Sequence, residues 1–469
     1  MADKKELSEG KKLEESLFYK KENFFEVSSE EKIKAAYDYA EGYKKFLDES
    51  KTEREAVRAA TAYAESKGYS EYKFGDKLSV GDKKYYSNRG KSFIMFKVGS
   101  ENMAVNGIKI LASHIDSPRL DIKQVPLYED TGMAFLKTHY YGGIKKYQWT
   151  AMPLALHGTV VLESGEAVTV TVGEKDSDPV FYINDLLPHL SKEQITKPLA
   201  TAIDGETLNV LVGGYPFKDD DVKEKVKLTV LKKLNETYGM KETDFISAEL
   251  CVVPAYKARD IGFDRALIGG YGHDDRVCSY PAMTALGESK DELSTVVVVL
   301  ADKEEIGSEG ATGMQCGIFS DLVDMLAASQ GVPASVVRAN SKCLSADVTA
   351  GFDPNFAGVF EKRNSSIVSC GTALCKFTGA GGKSGSSDAS AELVGYVRRI
   401  FEKAKVNWQM AELGKVDAGG GGTVAKYIAK LNIDTIDIGV PVISMHAPYE
   451  VISKADLYST YEAFAAFIG

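Results

Sequence analysis

The sequence predicts an α/β protein, with a mixed sheet flanked by helices and a β-rich domain inserted into it. Three observations predict this. Uncharged β-branched runs, of which Val297-Val298-Val299-Leu300 is the clearest, read as buried parallel strands. Such runs alternate with helical patterns early and late in the chain. Between these two regions lies a stretch rich in valine and threonine, punctuated by glycine, that reads as β structure.

Residues from about 29 to 67 have a helical pattern, with Ser29 placed as an N-cap and Thr52 ahead of a second helix. Strand-like segments follow, and the run 108–113 ends in His114-Ile115-Asp116-Ser117-Pro118. The character then changes through Tyr140-Tyr141-Gly142-Gly143, the run 154–162 and Ala167-Val168-Thr169-Val170-Thr171-Val172. Strand and helix alternate again from near Leu250. The predicted organisation is a main domain of residues 1–122 and 255–469 with an inserted β-rich domain of 123–254. The inserted domain must leave and return close to one site, because candidate ligands stand on both sides of it. Late in the chain, Ala418-Gly419-Gly420-Gly421-Gly422-Thr423 lacks the lysine and serine spacing of a phosphate-binding loop. It reads instead as a loop whose backbone closes on substrate.

Composition narrows the class. The 469 residues allow two or three domains, and 44% hydrophobic content is enough for their cores. A net charge of -10 argues against nucleic-acid binding. Residues 1–21 are charged and lack the apolar core of a signal peptide. No run approaches the roughly 18 apolar residues of a membrane span. Six cysteines without a C-x-x-C pair form neither a disulfide framework nor a cysteine zinc site, and read as reduced thiols in a cytoplasm.

The chemistry gathers at strand ends, where ligands sit in open α/β sheets. The valine run ends in Asp302-Lys303-Glu304-Glu305. Adjacent carboxylates raise each other's pKa, and a metal ion relieves that repulsion. One glutamate can then bind metal while its neighbour acts as general base towards the attacking water. Alone, the motif also reads as a solvated acidic turn. His114-x-Asp116 lets a histidine bind metal while an aspartate accepts its other N–H. Asp274-Asp275, Ser345-Ala346-Asp347 and Ser444-Met445-His446 follow other strand-like approaches. Five such ends, each delivering His, Asp or Glu, point to a metal centre.

These motifs, in this order from about residue 85 to the end, resemble those of the aspartyl aminopeptidase family of dinuclear zinc exopeptidases. The resemblance implies a zinc-exopeptidase type of fold and two zinc ions per subunit. Asp275 would bridge them, with His114 and Asp347 completing one site and Glu305 and His446 the other. Glu304 would be the general base and Asp116 the partner of His114. Binding of the substrate's free amino group at one metal would make the enzyme an aminopeptidase acting on peptides. The resemblance also implies a dodecamer built from dimers, and a homo-oligomer would cover the strand edges of the inserted domain.

Substrate choice is less sharply marked. The region after Asp347 lacks the extra histidines of acid-preferring members, and Arg276 stands where an asparagine is common. Lys376 or Lys383, in a basic glycine-rich loop, is placed to attract an acidic side chain. His189 is a candidate for the insertion histidine that reaches a neighbouring subunit's site. The rival readings are a dinuclear zinc carboxypeptidase or deacylase, with Arg276 holding the substrate carboxylate, and an inactive assembly protein on the same fold.

Overall fold

The computed structural model describes residues 7–469, so part of the charged amino-terminal stretch, residues 1–6, lies outside the described residues. At its centre is a nine-stranded sheet. Val296–Ala301 pairs antiparallel with Ser92–Lys97 on one side and parallel with Lys109–His114 on the other. Lys342–Ala346 and then Asp434–Gly439 continue the parallel run. Four parallel strands therefore end on the same side. Their register sets Ala301 beside His114.

The valine run behaves as its composition predicts, with every residue of Val296–Ala301 buried. Alternate side chains serve opposite cores, as the two-residue period of a strand requires. Val298 and Leu300 pack in the cluster that includes Phe46, Val277, Val397 and Leu457. Val297 and Val299 pack in the one that includes Phe319, Leu322, Leu326 and Ile428. The helices that supply these residues cover both faces of the sheet. The expected amino-terminal helical stretch is two helices, Glu30–Glu49 and Glu53–Ser66. Ser29 Oγ accepts the Lys32 N–H at the first, and Thr52 forms a reciprocal capping box with Glu55 at the second.

A second, seven-stranded sheet draws all its strands from residues 119–254. Its first and last long strands, Arg119–Asp130 and Ala248–Pro254, are paired antiparallel, so the chain enters and leaves this unit at adjacent points. Trp149, Leu154, Val252 and Phe245 are among the side chains of its separate core. A third sheet of five short strands gathers Leu267–Gly270, Glu450–Ser453, Pro441–Ile443 and Thr349–Ala350. It thereby joins the approaches to Asp274, His446 and Asp347. Among the described residues no helix is long and apolar enough to cross a membrane. The six cysteines are all free thiols.

One ionic network ties the second sheet to the amino-terminal helices. Glu174 Oε1 accepts from Lys51 Nζ at 2.6 Å and lies 3.0 Å from His157 Nε2. His157 Nδ1 is 2.8 Å from Glu55, and Lys257 Nζ donates to the other Glu174 oxygen at 2.9 Å. Against the opposing effect of burial, the hydrogen bond from His157 and the charge of Lys51 hold the Glu174 carboxyl down at about 2. Burial likewise opposes the His157 charge, but its bonds to Glu174 and Glu55 raise its pKa. A depressed carboxylate stabilises the fold above its unfolded pKa of about 4.5 and loses that contribution as pH falls towards 2. A raised histidine contributes fully below 6.5 and loses its contribution as pH climbs through its folded value. The junction is therefore most stable between about pH 4.5 and 6.5. Glu174→Gln is expected to lower stability there by about 1–3 kcal/mol, since it leaves buried Lys51 without its anion. The gap from wild type in thermal midpoint should narrow as pH falls to 3. A gap that does not change with pH would show that the network is not what holds the junction.

Candidate active site and metal centre

Asp274, Glu304, Glu305, Asp347 and His446 line one cavity of about 510 Å³, with His114 packed behind Asp274 and Asp347. His114 ends its strand fully buried. Its Nδ1 lies 3.0 Å from the Asp116 carbonyl and 3.3 Å from Asp116 Oδ1. That contact makes Nδ1 the donor and leaves Nε2 free to face the cavity. His114 Nε2 lies 3.2 Å from Asp274 Oδ1 and 3.6 Å from Asp347 Oδ1.

His446 is the counterpart on the other side. Its Nδ1 faces the Gly143 carbonyl at 2.8 Å. Its Nε2 is 3.2 Å from Asp274 Oδ2 and 3.5 Å from Glu305 Oε2. The two oxygens of Asp274 thus face two different histidines. Asp275, the residue expected to bridge, is placed otherwise. Its Oδ2 accepts the His114 backbone N–H at 3.4 Å, and its other oxygen has no hydrogen-bond partner. The peptide between the two aspartates is cis.

Two carboxylates hold this arrangement from behind. Asp116 Oδ1 accepts the Glu304 N–H at 3.1 Å, and Oδ2 accepts the Glu305 N–H at 3.2 Å. Glu450 Oε1 accepts the His446 N–H at 2.7 Å, and Oε2 accepts the Asp274 N–H at 3.1 Å. Glu450 was missed in the sequence. The only signal for it is an acidic residue four positions after His446, on a strand that reads as ordinary structure.

The electrostatics are those of closely packed buried anions. Burial, then repulsion from Asp347, pushes the Glu304 carboxyl up to about 8. Burial and Asp274 push Glu305 well up, and burial raises Asp347 and Asp275 too. Asp274 alone is held low, because the two histidines outweigh its burial. Their cationic character is raised in turn, with His446 taken up to about 10 against the effect of its burial. Buried oxygens of Asp274, Asp275 and Glu305 have no hydrogen-bond partner. Donor atoms of His114, Asp274 and Glu305 lie within 4.8 Å of one another, as do those of His114, Asp275 and Asp347. Imidazole and carboxylate donors at this spacing are a zinc ligand set. The residues fit the metal.

The rest of the cavity wall is more apolar, with Val348, Phe377, Leu413 and Met445, and Gly420, Gly421 and Gly422 close it from one side. The glycine-rich loop thus stands where a substrate-closing loop is expected. Lys376 and Lys383 are absent from this wall and lie beside Asp388 on partly exposed chain, at 3.9 and 3.3 Å. Lys426 is on the wall instead, at the start of a short helix. Arg276 is fully buried, and its Nη2 donates to the Lys51 carbonyl at 3.1 Å, outside the cavity. His189 sits on an exposed turn of the second sheet's unit and does not line the cavity.

Known proteins resemble this chain along nearly its whole length. The aminopeptidase I zinc metalloprotease (M18) family matches residues 46–468. A probable M18 family aminopeptidase 1 of Clostridium acetobutylicum is 48% identical over 454 residues, covering 95% of this chain and 97% of that protein. The crystal structure of an M18 aminopeptidase from Thermotoga maritima superposes with a TM-score of 0.91 at 40% identity, covering 96% and 99% of the two chains. The structure of the S. cerevisiae mApe1 dodecamer shares the fold, with a TM-score of 0.75 at 21% identity, covering 92% and 96%. Matched along nearly its whole length, the chain belongs to the aminopeptidase I zinc metalloprotease (M18) family and is a zinc-dependent aminopeptidase.

Proposed function

We propose that the protein removes the amino-terminal residue of peptides with two zinc ions, using Glu304 as general base. One observation carries the reading: Asp274 presents one oxygen to each of two histidines, each 3.2 Å away, and Glu304 stands beside them without an ion pair of its own among the described residues. Asp274, in place of Asp275, would then be the ligand shared by the two ions. His114 and Asp347 would hold one ion, with Asp275 close at hand, and Glu305 and His446 the other. When bound, the ions polarise the scissile carbonyl and acidify the attacking water. Glu304 takes the proton from that water and passes it to the leaving amine.

Arg276 gives no support to a carboxypeptidase, because it is turned into the protein. A base beside a complete ligand set has no purpose in an inactive assembly protein. The insertion's exposed apolar side chains Leu187, Leu190, Ile195 and Leu199 support self-association through this unit. A homo-oligomer, and by resemblance a dodecamer of dimers, is the assembly we assign. Six free thiols support a reducing cytoplasm.

Glu304→Gln is expected to keep both metals and lower kcat by about 100-fold to 10,000-fold. Metal content measured beside activity decides it, and a fall of both together would make Glu304 a ligand. Asp274→Ala should empty both sites in a metal titration, whereas Asp275→Ala should weaken the His114 site alone. The reverse pattern would return the bridge to Asp275.

A preference for acidic residues rests on which lysine faces the substrate. Lys426 is the one lysine or arginine on the cavity wall, and its Nζ lies 4.9 Å from the Tyr427 ring with no carboxylate partner among the described residues. Lys426→Met should lower kcat/KM for Asp- and Glu-amides about 10-fold or more and leave Leu- and Ala-amides nearly unchanged. Lys376→Met should do neither. A selective loss in Lys376→Met would restore that residue to the pocket, and an equal loss on all four substrates would remove side-chain reading from Lys426.

A further inference from the structure

The segment Tyr141-Gly142-Gly143 leaves the end of an insertion strand and enters the site. Tyr141 ends the strand Met133–Tyr141 opposite Arg119, and its hydroxyl donates to Asp116 Oδ2 at 2.8 Å. The Arg119 guanidinium lies 4.3 Å from the Tyr141 ring centre and pairs with buried Glu53 at 2.7 Å. The ring is thus gripped on its face while its hydroxyl reaches Asp116. A Cβ at Gly142 would lie 3.3 Å from Glu305, at a φ of 74°. The Gly143 carbonyl fixes His446.

From these contacts we infer that Tyr141 is a positioning residue for the general base. It acts through Asp116, and so makes catalysis depend on how the inserted domain is seated. Asp116 is the sole side chain accepting the backbone N–H groups of both Glu304 and Glu305. Its Oδ2 is shared between the Glu305 N–H and the Tyr141 hydroxyl. Removing the hydroxyl leaves the Glu305 N–H as the remaining hydrogen bond to Asp116 Oδ2, so Asp116 holds the loop 303–307 less firmly. A base displaced by about 1 Å costs on the order of 100-fold in rate. The ring itself stays under Arg119 in a phenylalanine variant, so the packing is retained.

This inference rests on Glu304 being the base. The experiment is Tyr141→Phe in the zinc-loaded enzyme, followed by kinetics, metal analysis and amide hydrogen exchange over residues 303–308. The expected result is a kcat lowered about 10-fold to 100-fold with KM within about two-fold, unchanged metal content and faster exchange of the Glu304 and Glu305 amides. Exchange and kcat at wild-type levels would overturn it. So would metal loss in step with activity, or a variant that does not fold, since either would make the hydroxyl a structural element. If exchange quickens while kcat holds, the linkage stands and Glu304 is not the base. Glu304→Gln reads the base assignment on its own.

Discussion

The repulsion among carboxylates gathered at neighbouring strand ends is the constraint on which the rest of this structure depends. Asp274, Asp275, Glu304, Glu305 and Asp347 converge where parallel strands end. Isolated buried anions neutralise themselves by taking up protons, and the raised pKa values of four of the five express that. Only Asp274 escapes, because a histidine stands against each of its oxygens. A bound metal cation would do for the other four what the two histidines do for Asp274. Cation binding would therefore relieve the mutual repulsion of these anions.

The sheets divide this labour. The nine-stranded sheet carries His114, the glutamate pair and Asp347 on neighbouring strand ends. The five-stranded sheet aims Asp274 and His446, through Leu267–Gly270 and Pro441–Ile443. The seven-stranded sheet supplies no member of the donor set but touches three of the site's parts, through Tyr141 on Asp116, Gly142 against Glu305 and Gly143 on His446. The inserted unit is thus also part of the wall around the donor set.

Much of this is legible in the sequence because strand physics is simple. An uncharged β-branched run is buried on both faces, so its end must be where charge appears, and that reasoning reaches His114, Glu304, Glu305 and Asp347 directly. It becomes uncertain at Asp274-Asp275. Both residues have non-helical backbone at the head of their helix, so no helical or strand period decides which carboxylate faces the cavity. Glu450 has no motif, since a buried glutamate that accepts two backbone N–H groups looks, in sequence, like any exposed acid on a strand. Lys376 and Lys426 lie on glycine-rich chain and just after it. There the path of the backbone, not local composition, settles which lysine reaches the wall. Thr52 was placed as a helix start, while Glu55 three residues on completes the box and also meets His157, a contact made across 102 residues of chain.

Asp116 and Glu450 show how such a site holds its geometry. Each is buried, and each accepts two backbone N–H groups belonging to residues of the site. Side chains alone, with two or more free torsions apiece, would place donor atoms loosely, and a metal or catalytic constellation tolerates only about 0.5 Å of error. Gripping the backbone under Glu304, Glu305, Asp274 and His446 removes most of that freedom before any side-chain contact is made. The grip is also chemically graded. Burial and the charge of Asp274 push Glu450 up to about 8, while the N–H bonds from Asp274 and His446 pull the other way. Glu450 thus answers both to the backbone it grips and to the charge of the aspartate it positions.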